Sequence, residues 1–280
     1  MYTNHRVADA ASFGTFLKAW AHTASGNLDA VIVLDFGIAS IFPARDDFQT
    51  LPPHIYQLPP PQTSAAKLNA LKVKATIATV PQPNRVQAVS ALIWKFVVAA
   101  SRSRSPTRPR PSALVLSANK RACLVPPLPE WCFGNVGHPL VANLDDEIEM
   151  DLARLVGRIG EGKLELGKNC AATRPEICSS IMELGKEQVG MMGMRGSEEV
   201  DVYAHTSWCR MPWYEADFGW GKPTWATIGS VGVPNVSVLS EARDEEGIEV
   251  WVCLIEQDMA LFQSTQDLLA FATLNPSALN

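Results

Sequence analysis

Several common signatures are missing from the chain, and each absence excludes a class of function. Its six cysteines form no CxxC pair and no zinc-like spacing. There is no GxSxG elbow of a serine hydrolase and no HExxH helix of a metalloprotease. Gly190, Gly193 and Gly196 are spaced as GxxGxxG, which is neither a Rossmann fingerprint nor a P-loop. We therefore predict no metal site and no permanently bound cofactor.

Excess positive charge and long apolar runs are absent as well. The net charge is -5 and the pI is about 5.6, which gives no electrostatic reason to bind nucleic acid. The best apolar run, Ala30 to Phe42, is interrupted by Asp35 and is too short to span a bilayer. Residues 1–5 carry no basic segment followed by an apolar one, so no secretory signal is visible. Since the cysteines are typical of reduced thiols, the predicted compartment is the cytosol.

Apolar periodicity predicts a mixed α/β chain. Helices are predicted over 9–22, 84–100, 144–160 and 175–191, with a closing helix capped by Asp258. Strands are predicted over 113–118, 200–206, 225–233 and 248–255. Six of the 20 prolines lie between positions 43 and 61, which predicts a long non-helical crossover there. The first helix carries one apolar stripe of Phe13, Phe16, Leu17, Trp20 and Ala21.

The segment from Ser101 to Arg110 holds four arginines among serines and prolines. This composition predicts a solvated surface loop. A nuclear-import or phosphate-binding segment is the alternative interpretation.

Two short strings carry the residues that chemistry requires. His5 and Asp9 are spaced as HxxxD at the start of the first predicted helix. A neutral imidazole can accept a proton from an alcohol that attacks a thioester, and the aspartate can cap the helix. The HxxxD pattern alone is weak, and a surface histidine is the alternative.

The second string is Asp217-Phe218-Gly219-Trp220-Gly221. Its two glycines allow backbone angles that a β-carbon forbids, so the loop can hold a carboxylate and an indole in one arrangement. Asp217 is either an active-site residue or a structural acceptor of hydrogen bonds, and both interpretations stay open.

Taken together, these strings and their neighbours resemble the plant BAHD family of acyl-CoA-dependent acyltransferases. The blocks that carry the resemblance, in family order, are HRVADAASFGTFLKAWA from His5, NRVQAVSALIWK from Asn84, residues 119–135, TSWCRMPWYEADFGWGKP from Thr206, and residues 250–275. They cover the chain almost end to end. The fourth block is most similar to alcohol acetyltransferases of specialised metabolism, of the vinorine synthase and salutaridinol acetyltransferase kind.

The resemblance implies a chloramphenicol-acetyltransferase-like α/β fold of two domains with a channel between them. Residues 1–35 would be a remnant of the N-terminal domain, 36–60 a crossover loop, and 61–280 the C-terminal, coenzyme A-side domain. Family members carry a substantial stretch before HxxxD, whereas four residues precede His5 here. Most of the N-terminal domain is therefore expected to be missing.

The resemblance also implies the chemistry and the site residues. His5 would be the general base, with no acyl-enzyme, acetyl-CoA as co-substrate, and a hydroxyl of an alkaloid- or terpenoid-like metabolite as acceptor. Trp220 and Asn135 are alternative oxyanion donors. Asp9 is expected to form an ion pair with Arg121 of the family's N-x-R block, which ties the first helix to the second domain.

Three interpretations of the short N-terminal part stay open. The chain is a fragment of a longer acyltransferase, one half of a split enzyme, or an inactive truncated homologue that binds coenzyme A or a partner. The family is usually monomeric, but the missing segments would leave an apolar face for a partner chain.

Overall fold

The computed structural model describes residues 5, 7–41, 62–63, 65–104, 110–144, 150–168, 200–228 and 233–275 of the chain. The helices in these ranges are α1 (Ala10–Ala24), α2 (Ile38–Ile41), α3 (Ala65–Lys74), α4 (Arg85–Arg104), α5 (Leu152–Lys168), α6 (Glu256–Gln263) and α7 (Gln266–Leu269). The strands are β1 (Gln62–Thr63), β2 (Ser112–Asn119), β3 (Gly137–Leu144), β4 (Asp201–Ser207), β5 (Val236–Glu241) and β6 (Ile248–Cys253). The predicted mixed α/β class is confirmed.

The described strands form one six-stranded mixed sheet in the order β1-β6-β5-β4-β2-β3. The central strand β4 runs parallel to both of its neighbours, β2 and β5. The outer pairs β2–β3, β5–β6 and β1–β6 are antiparallel. The strands predicted at 113–118, 200–206 and 248–255 lie on β2, β4 and β6.

The main core lies between this sheet and the helices α3 to α7. Helix α4 is its central element, and a pair of side chains caps its start. Asn84 Oδ1 accepts from Gln87 N at 2.8 Å, and Gln87 Oε1 accepts from Asn84 N at 3.1 Å. This reciprocal pair satisfies two backbone donors that a helix start leaves open. Trp94 of α4 is fully buried, and its Nε1 donates to Ser112 Oγ on β2 at 2.8 Å.

The arginine-rich segment is ordered at both of its described ends, so the solvated-loop prediction is wrong there. Helix α4 continues to Arg104, whose Nε lies 2.9 Å from Asp258 Oδ1. Arg110 Nη2 lies 2.5 Å from Asp201 Oδ1. Both aspartates are largely buried and require a cation, which composition does not reveal. Asp258 lies inside the first turn of the closing helix, whose N-cap position is Ile255, so it pairs with Arg104 and does not cap the helix.

Two further element predictions are corrected by strand pairing. The helix predicted over 144–160 corresponds to α5, Leu152–Lys168. Leu144 instead ends strand β3, which pairs antiparallel with β2 and was not predicted from the sequence. The strand predicted over 225–233 is not formed at 225–228. The strand lies at 236–241, where β5 pairs with β4 and β6.

The predicted crossover over 43–61 and the predicted helix over 175–191 lie outside the described residues. The helices predicted over 9–22 and 84–100 are confirmed as parts of α1 and α4. Within the ranges that the structure describes, every helix falls short of the length and apolar character that crossing a bilayer requires.

Replacing Trp94 by alanine is expected to lower the free energy of unfolding by about 3–5 kcal/mol. The change removes a buried indole and leaves Ser112 Oγ without this donor. Urea unfolding followed by far-UV circular dichroism measures the effect. Trp220→Ala is the matched control, since that indole is 83% exposed, and a cost below about 1 kcal/mol is expected. Equal costs for the two variants would contradict the burial argument.

Candidate active site

His5 lies on the surface beside the connection that leads into β3. Its backbone carbonyl accepts a hydrogen bond of 2.7 Å from Asn135 Nδ2. These two residues are 130 positions apart in the sequence. The structure therefore brings together the proposed base and one of its two predicted oxyanion donors.

Asp9 begins α1 as its N-cap residue. Its Oδ1 accepts from Ser12 N at 2.9 Å, as helix capping predicts. Its Oδ2 accepts from Val136 N at 3.0 Å. Residues 135 and 136 thus contact His5 and Asp9 respectively, so both ends of the HxxxD motif contact one short segment.

The predicted Asp9–Arg121 ion pair is confirmed. Arg121 Nη1 donates to Asp9 Oδ2 at 2.8 Å, and Nη2 donates to Asp9 Oδ1 at 3.1 Å. The guanidinium is buried, and its further acceptors are Asn119 Oδ1, Ser12 Oγ and the carbonyl oxygens of Cys132 and Gly134. We call these residues the Arg121 network. Because the described contacts of both Asp9 oxygens go to Arg121, Ser12 and Val136, this carboxylate supports the helix rather than the imidazole of His5.

The electrostatics of Asp9 follow from these contacts. Burial by itself would raise the pKa of Asp9, but hydrogen bonding and the charge of Arg121, with the N–H groups of Val136 and Ser12, outweigh it. The pKa of Asp9 is therefore held below its ordinary value, and the carboxylate is ionised at neutral pH.

The 217–221 loop is organised by its own aspartate. Asp217 Oδ1 accepts from Gly219 N at 2.8 Å and from Gly221 N at 2.9 Å. Both glycines have positive φ angles, +101° and +107°, which a β-carbon would strain. The two N–H groups lower the pKa of Asp217 below its ordinary value. These contacts support the structural interpretation of Asp217.

Aromatic side chains attach this loop to the last turns of α1. The Phe218 ring meets Trp20 edge-on at a centroid distance of 5.1 Å, and Trp220 stacks on Phe218 at 5.7 Å. Lys18 Nζ also lies 2.6 Å from Glu215 Oε2. The loop therefore lies at the C-terminal end of the helix.

The two sequence motifs lie at opposite ends of α1. Trp20 is eleven residues beyond Asp9, which corresponds to about 16 Å along a helix axis. His5, Asp9, Arg121 and Asn135 gather at one end, whereas the 217–221 loop gathers at the other.

The sequence analysis missed Ser12 and Gly134, which lie inside the Arg121 network. Ser12 is buried, although the predicted apolar stripe of α1 does not contain it. Phe16 and Trp20 of that stripe are exposed instead. The available signal was the serine three residues after Asp9, where a polar side chain reaches the same end of the helix as its cap.

Two other histidines are core residues. His205 on β4 is buried, and burial lowers its pKa to about 3. Burial also lowers the pKa of His138, whose Nδ1 lies 2.7 Å from the carbonyl oxygen of Pro139. Both are therefore neutral at pH 7 and act as packing residues.

Asp9→Asn is expected to cost about 3–5 kcal/mol at pH 7, because it leaves the buried Arg121 cation without its counterion. It should also change how the free energy of unfolding depends on pH in acid. A carboxylate whose pKa is lower in the folded state stabilises the fold above its unfolded pKa, near 3.8, and loses that contribution as pH falls through the folded pKa. In the variant, the free energy of unfolding should therefore fall less steeply as the pH drops below about 4.

Chemical unfolding between pH 2 and 7 tests this expectation. Glu161→Gln is the control, since its pair with Arg158 is exposed and should contribute less than about 0.5 kcal/mol. An Asp9→Asn variant that keeps wild-type stability at pH 7 would contradict it.

Asp217→Ala is expected to weaken the near-UV circular dichroism of the aromatic group Trp20–Phe218–Trp220. Without the carboxylate oxygen, two glycine N–H groups lose their acceptor and the rings lose their fixed arrangement. Asp217→Asn keeps an Oδ1 acceptor and should retain most of the signal. A wild-type spectrum from the alanine variant would show that Asp217 does not hold the loop.

Comparison with known proteins gives this geometry a context. The model of the Transferase family matches residues 1–269. Akuammiline synthase 1 of Alstonia scholaris is 33% identical over 97% of this chain and 64% of its own length. Stemmadenine O-acetyltransferase of Catharanthus roseus is 30% identical over 93% of this chain and 60% of its own length. The chain thus spans a little under two thirds of these relatives.

Solved structures share the fold. The crystal structure of vinorine synthase matches with a TM-score of 0.77 at 28% identity, over 96% of this chain and 61% of that one. TRI101 of F. sporotrichioides, complexed with coenzyme A and T-2, matches with a TM-score of 0.66 at 13% identity, over 96% of this chain and 65% of its own. The fold is therefore the chloramphenicol-acetyltransferase-like α/β fold predicted from the sequence. With the family model covering nearly all of its length, the chain belongs to the Transferase family of BAHD acyltransferases.

Proposed function

We propose that this protein acts as an acyl-CoA-dependent O-acyltransferase. The donor is acetyl-CoA as a co-substrate, and the acceptor is a hydroxyl of an alkaloid- or terpenoid-like plant metabolite. The names of relatives such as stemmadenine O-acetyltransferase and limonoid 21-O-acetyltransferase support these choices. The observation that carries the proposal is the placement of His5 against Asn135, beside the Arg121 network, in a chain that belongs to this family.

In the proposed reaction, the His5 imidazole takes the proton of the acceptor hydroxyl as its oxygen attacks the thioester carbonyl. The tetrahedral intermediate collapses with cleavage of the carbon–sulfur bond. The imidazolium then gives its proton to the departing coenzyme A thiolate, and no acyl-enzyme forms. Holding both substrates in line would supply much of the rate enhancement.

Of the two candidate oxyanion donors, the geometry favours Asn135. Its Nδ2 carries two hydrogens, one of which is directed to the carbonyl oxygen of His5. The second can donate to an oxyanion that forms beside the imidazole. Trp220 lies at the far end of α1 and stacks on Phe218, so its indole N–H is not placed for this role.

We propose the same division of labour along the chain that the resemblance implies. Residues 1–35 are the remnant of the N-terminal domain that carries the base. Residues 36–60 are the crossover loop, and residues 61–280 are the C-terminal domain on the coenzyme A side. All six described strands lie between residues 62 and 253, which supports one sheet for the last unit. The cytosol is the proposed compartment, as the cysteine pattern of the sequence predicts.

The alternative function is an inactive homologue that binds coenzyme A or a partner, and one surface favours it. The stretch from Val7 to Phe36 exposes several large apolar side chains, namely Val7, Phe16, Trp20, Leu28, Ile32, Val33 and Phe36. Val33 is 82% exposed. Such a concentration of apolar surface is typical of a face that another polypeptide covers. We therefore propose two possible assemblies, a monomer and a complex in which a partner chain completes the site.

His5→Gln is expected to reduce the release of coenzyme A from acetyl-CoA by about 100-fold or more across a panel of alcohols, because the general base is lost. Thiol release measured with a chromogenic disulfide reports the rate. His22→Gln is the matched control, since His22 lies at the other end of α1 and should leave the rate within about twofold of wild type. Unchanged turnover in His5→Gln would end the proposal of His5 as base.

A thermal melt of the wild-type chain with acetyl-CoA separates the alternatives. A melting temperature that rises with ligand, together with turnover, supports the enzyme. A rise without turnover of any alcohol supports a module that binds coenzyme A. No rise contradicts both the enzyme and the coenzyme A-binding module, and leaves the partner-binding module as the alternative.

A further inference from the structure

Ser12 is a buried polar residue whose hydroxyl serves one loop segment. It is 1% exposed. Its Oγ donates to the Gly134 carbonyl oxygen at 2.9 Å, accepts from Gly134 N at 2.9 Å, and accepts from Arg121 Nη2 at 2.9 Å. A hydroxyl has one donor and two acceptor positions, so these three bonds use its whole capacity. Both backbone polar groups of Gly134 are thereby fixed to α1.

Gly134 is in turn confined by its surroundings. Its φ is +146°, and a β-carbon there would lie 2.5 Å from Ile38 Cγ2. A residue with a side chain does not fit without displacing the Ile38 side chain. The backbone at this point is therefore fixed by Ser12 on one side and Ile38 on the other.

The segment that Ser12 fixes is the one that holds His5. Asn135 follows Gly134 directly and donates to the His5 carbonyl oxygen, and Val136 N then donates to Asp9 Oδ2. Among the described residues, the bond from Asn135 is the hydrogen bond that holds His5. Between His5 and Asp9, Ala8 is buried whereas Val7 is exposed, so core packing reaches Ala8 but does not extend to Val7. The place of His5 therefore depends on the place of Asn135.

We propose that Ser12 is a positioning residue for the base, which acts through Gly134 and Asn135 on the backbone of His5. This inference rests on the proposed function, in which His5 is the base. Ser12 makes no contact with substrate in this role. It fixes the backbone from which Asn135 reaches His5. Displacing the imidazole by about 1 Å would lower the rate of acyl transfer substantially.

The first test is a spectroscopic readout that does not require turnover. In the full chain, the imidazole C–H resonances of His5 are compared by NMR in wild type, Ser12→Ala and Asn135→Ala. We expect Ser12→Ala and Asn135→Ala to shift the His5 resonances towards unstructured values in the same way, while those of His22 stay unchanged. Asn135 is exposed, so its variant reports the relay even where Ser12→Ala is poorly folded.

Thr15→Ala is the matched control on the same helix. The Thr15 hydroxyl donates to Ala11 O at 3.0 Å within α1 and does not reach the 134–136 segment. This variant should keep the wild-type His5 resonances. Wild-type resonances in Ser12→Ala, or an equal change in Thr15→Ala, would overturn the proposal.

The second test is kinetic. Ser12→Ala should lower kcat by about 10- to 100-fold and change the KM for acetyl-CoA by less than about twofold. In the Asn135→Ala background it should lower kcat by no more than about twofold further, because both changes break one relay. If the double variant instead lost kcat by the product of the two single-variant losses, the proposal would be overturned. A wild-type chain without turnover counts against the proposed function alone, since the NMR comparison still decides the role of Ser12.

Discussion

The buried guanidinium of Arg121 is the constraint on which the rest of the site depends. A cation in the interior is tolerated only when it is paired and its N–H groups are bonded. Here the partners come from two places: Asp9 and Ser12 of α1, and the backbone around Gly134. Moving α1 away from the body of the protein would leave the buried charge without its counterion, Asp9. The start of α1, and with it the HxxxD motif, is therefore fixed by electrostatics more than by apolar contact.

Helix α1 then relates two motifs that are more than 200 residues apart in the chain. Its first turn is held by the Arg121 network, and its last turns are held by Phe218 and the Lys18–Glu215 pair. The loop at the second end needs glycine at 219 and 221, because its backbone lies at positive φ around the Asp217 carboxylate. A motif far from the proposed base can thus be indispensable to it through one rigid helix.

Local features of the fold could be predicted, while features that depend on distant partners could not. The start of α4 follows from Asn84 and Gln87, which lie within one turn of each other. The arginine-rich segment, by contrast, resembles a solvated loop until Asp201 and Asp258 are placed beside it. Strand β3 was not predicted at all, because its pairing partner, β2, is not visible in its own pattern.

By itself the sequence determined the family through its motifs and the glycine-dependent loop through a specific backbone requirement, and the resemblance to the family implied the Asp9–Arg121 pair. Only the tertiary structure decided that Ser12 holds Gly134, that Asn135 rather than Trp220 lies beside His5, and that Phe16 and Trp20 face outward. The reason is physical. A hydroxyl or an amide can bond to many partners, and which one it meets is set by how elements more than 100 residues apart pack together.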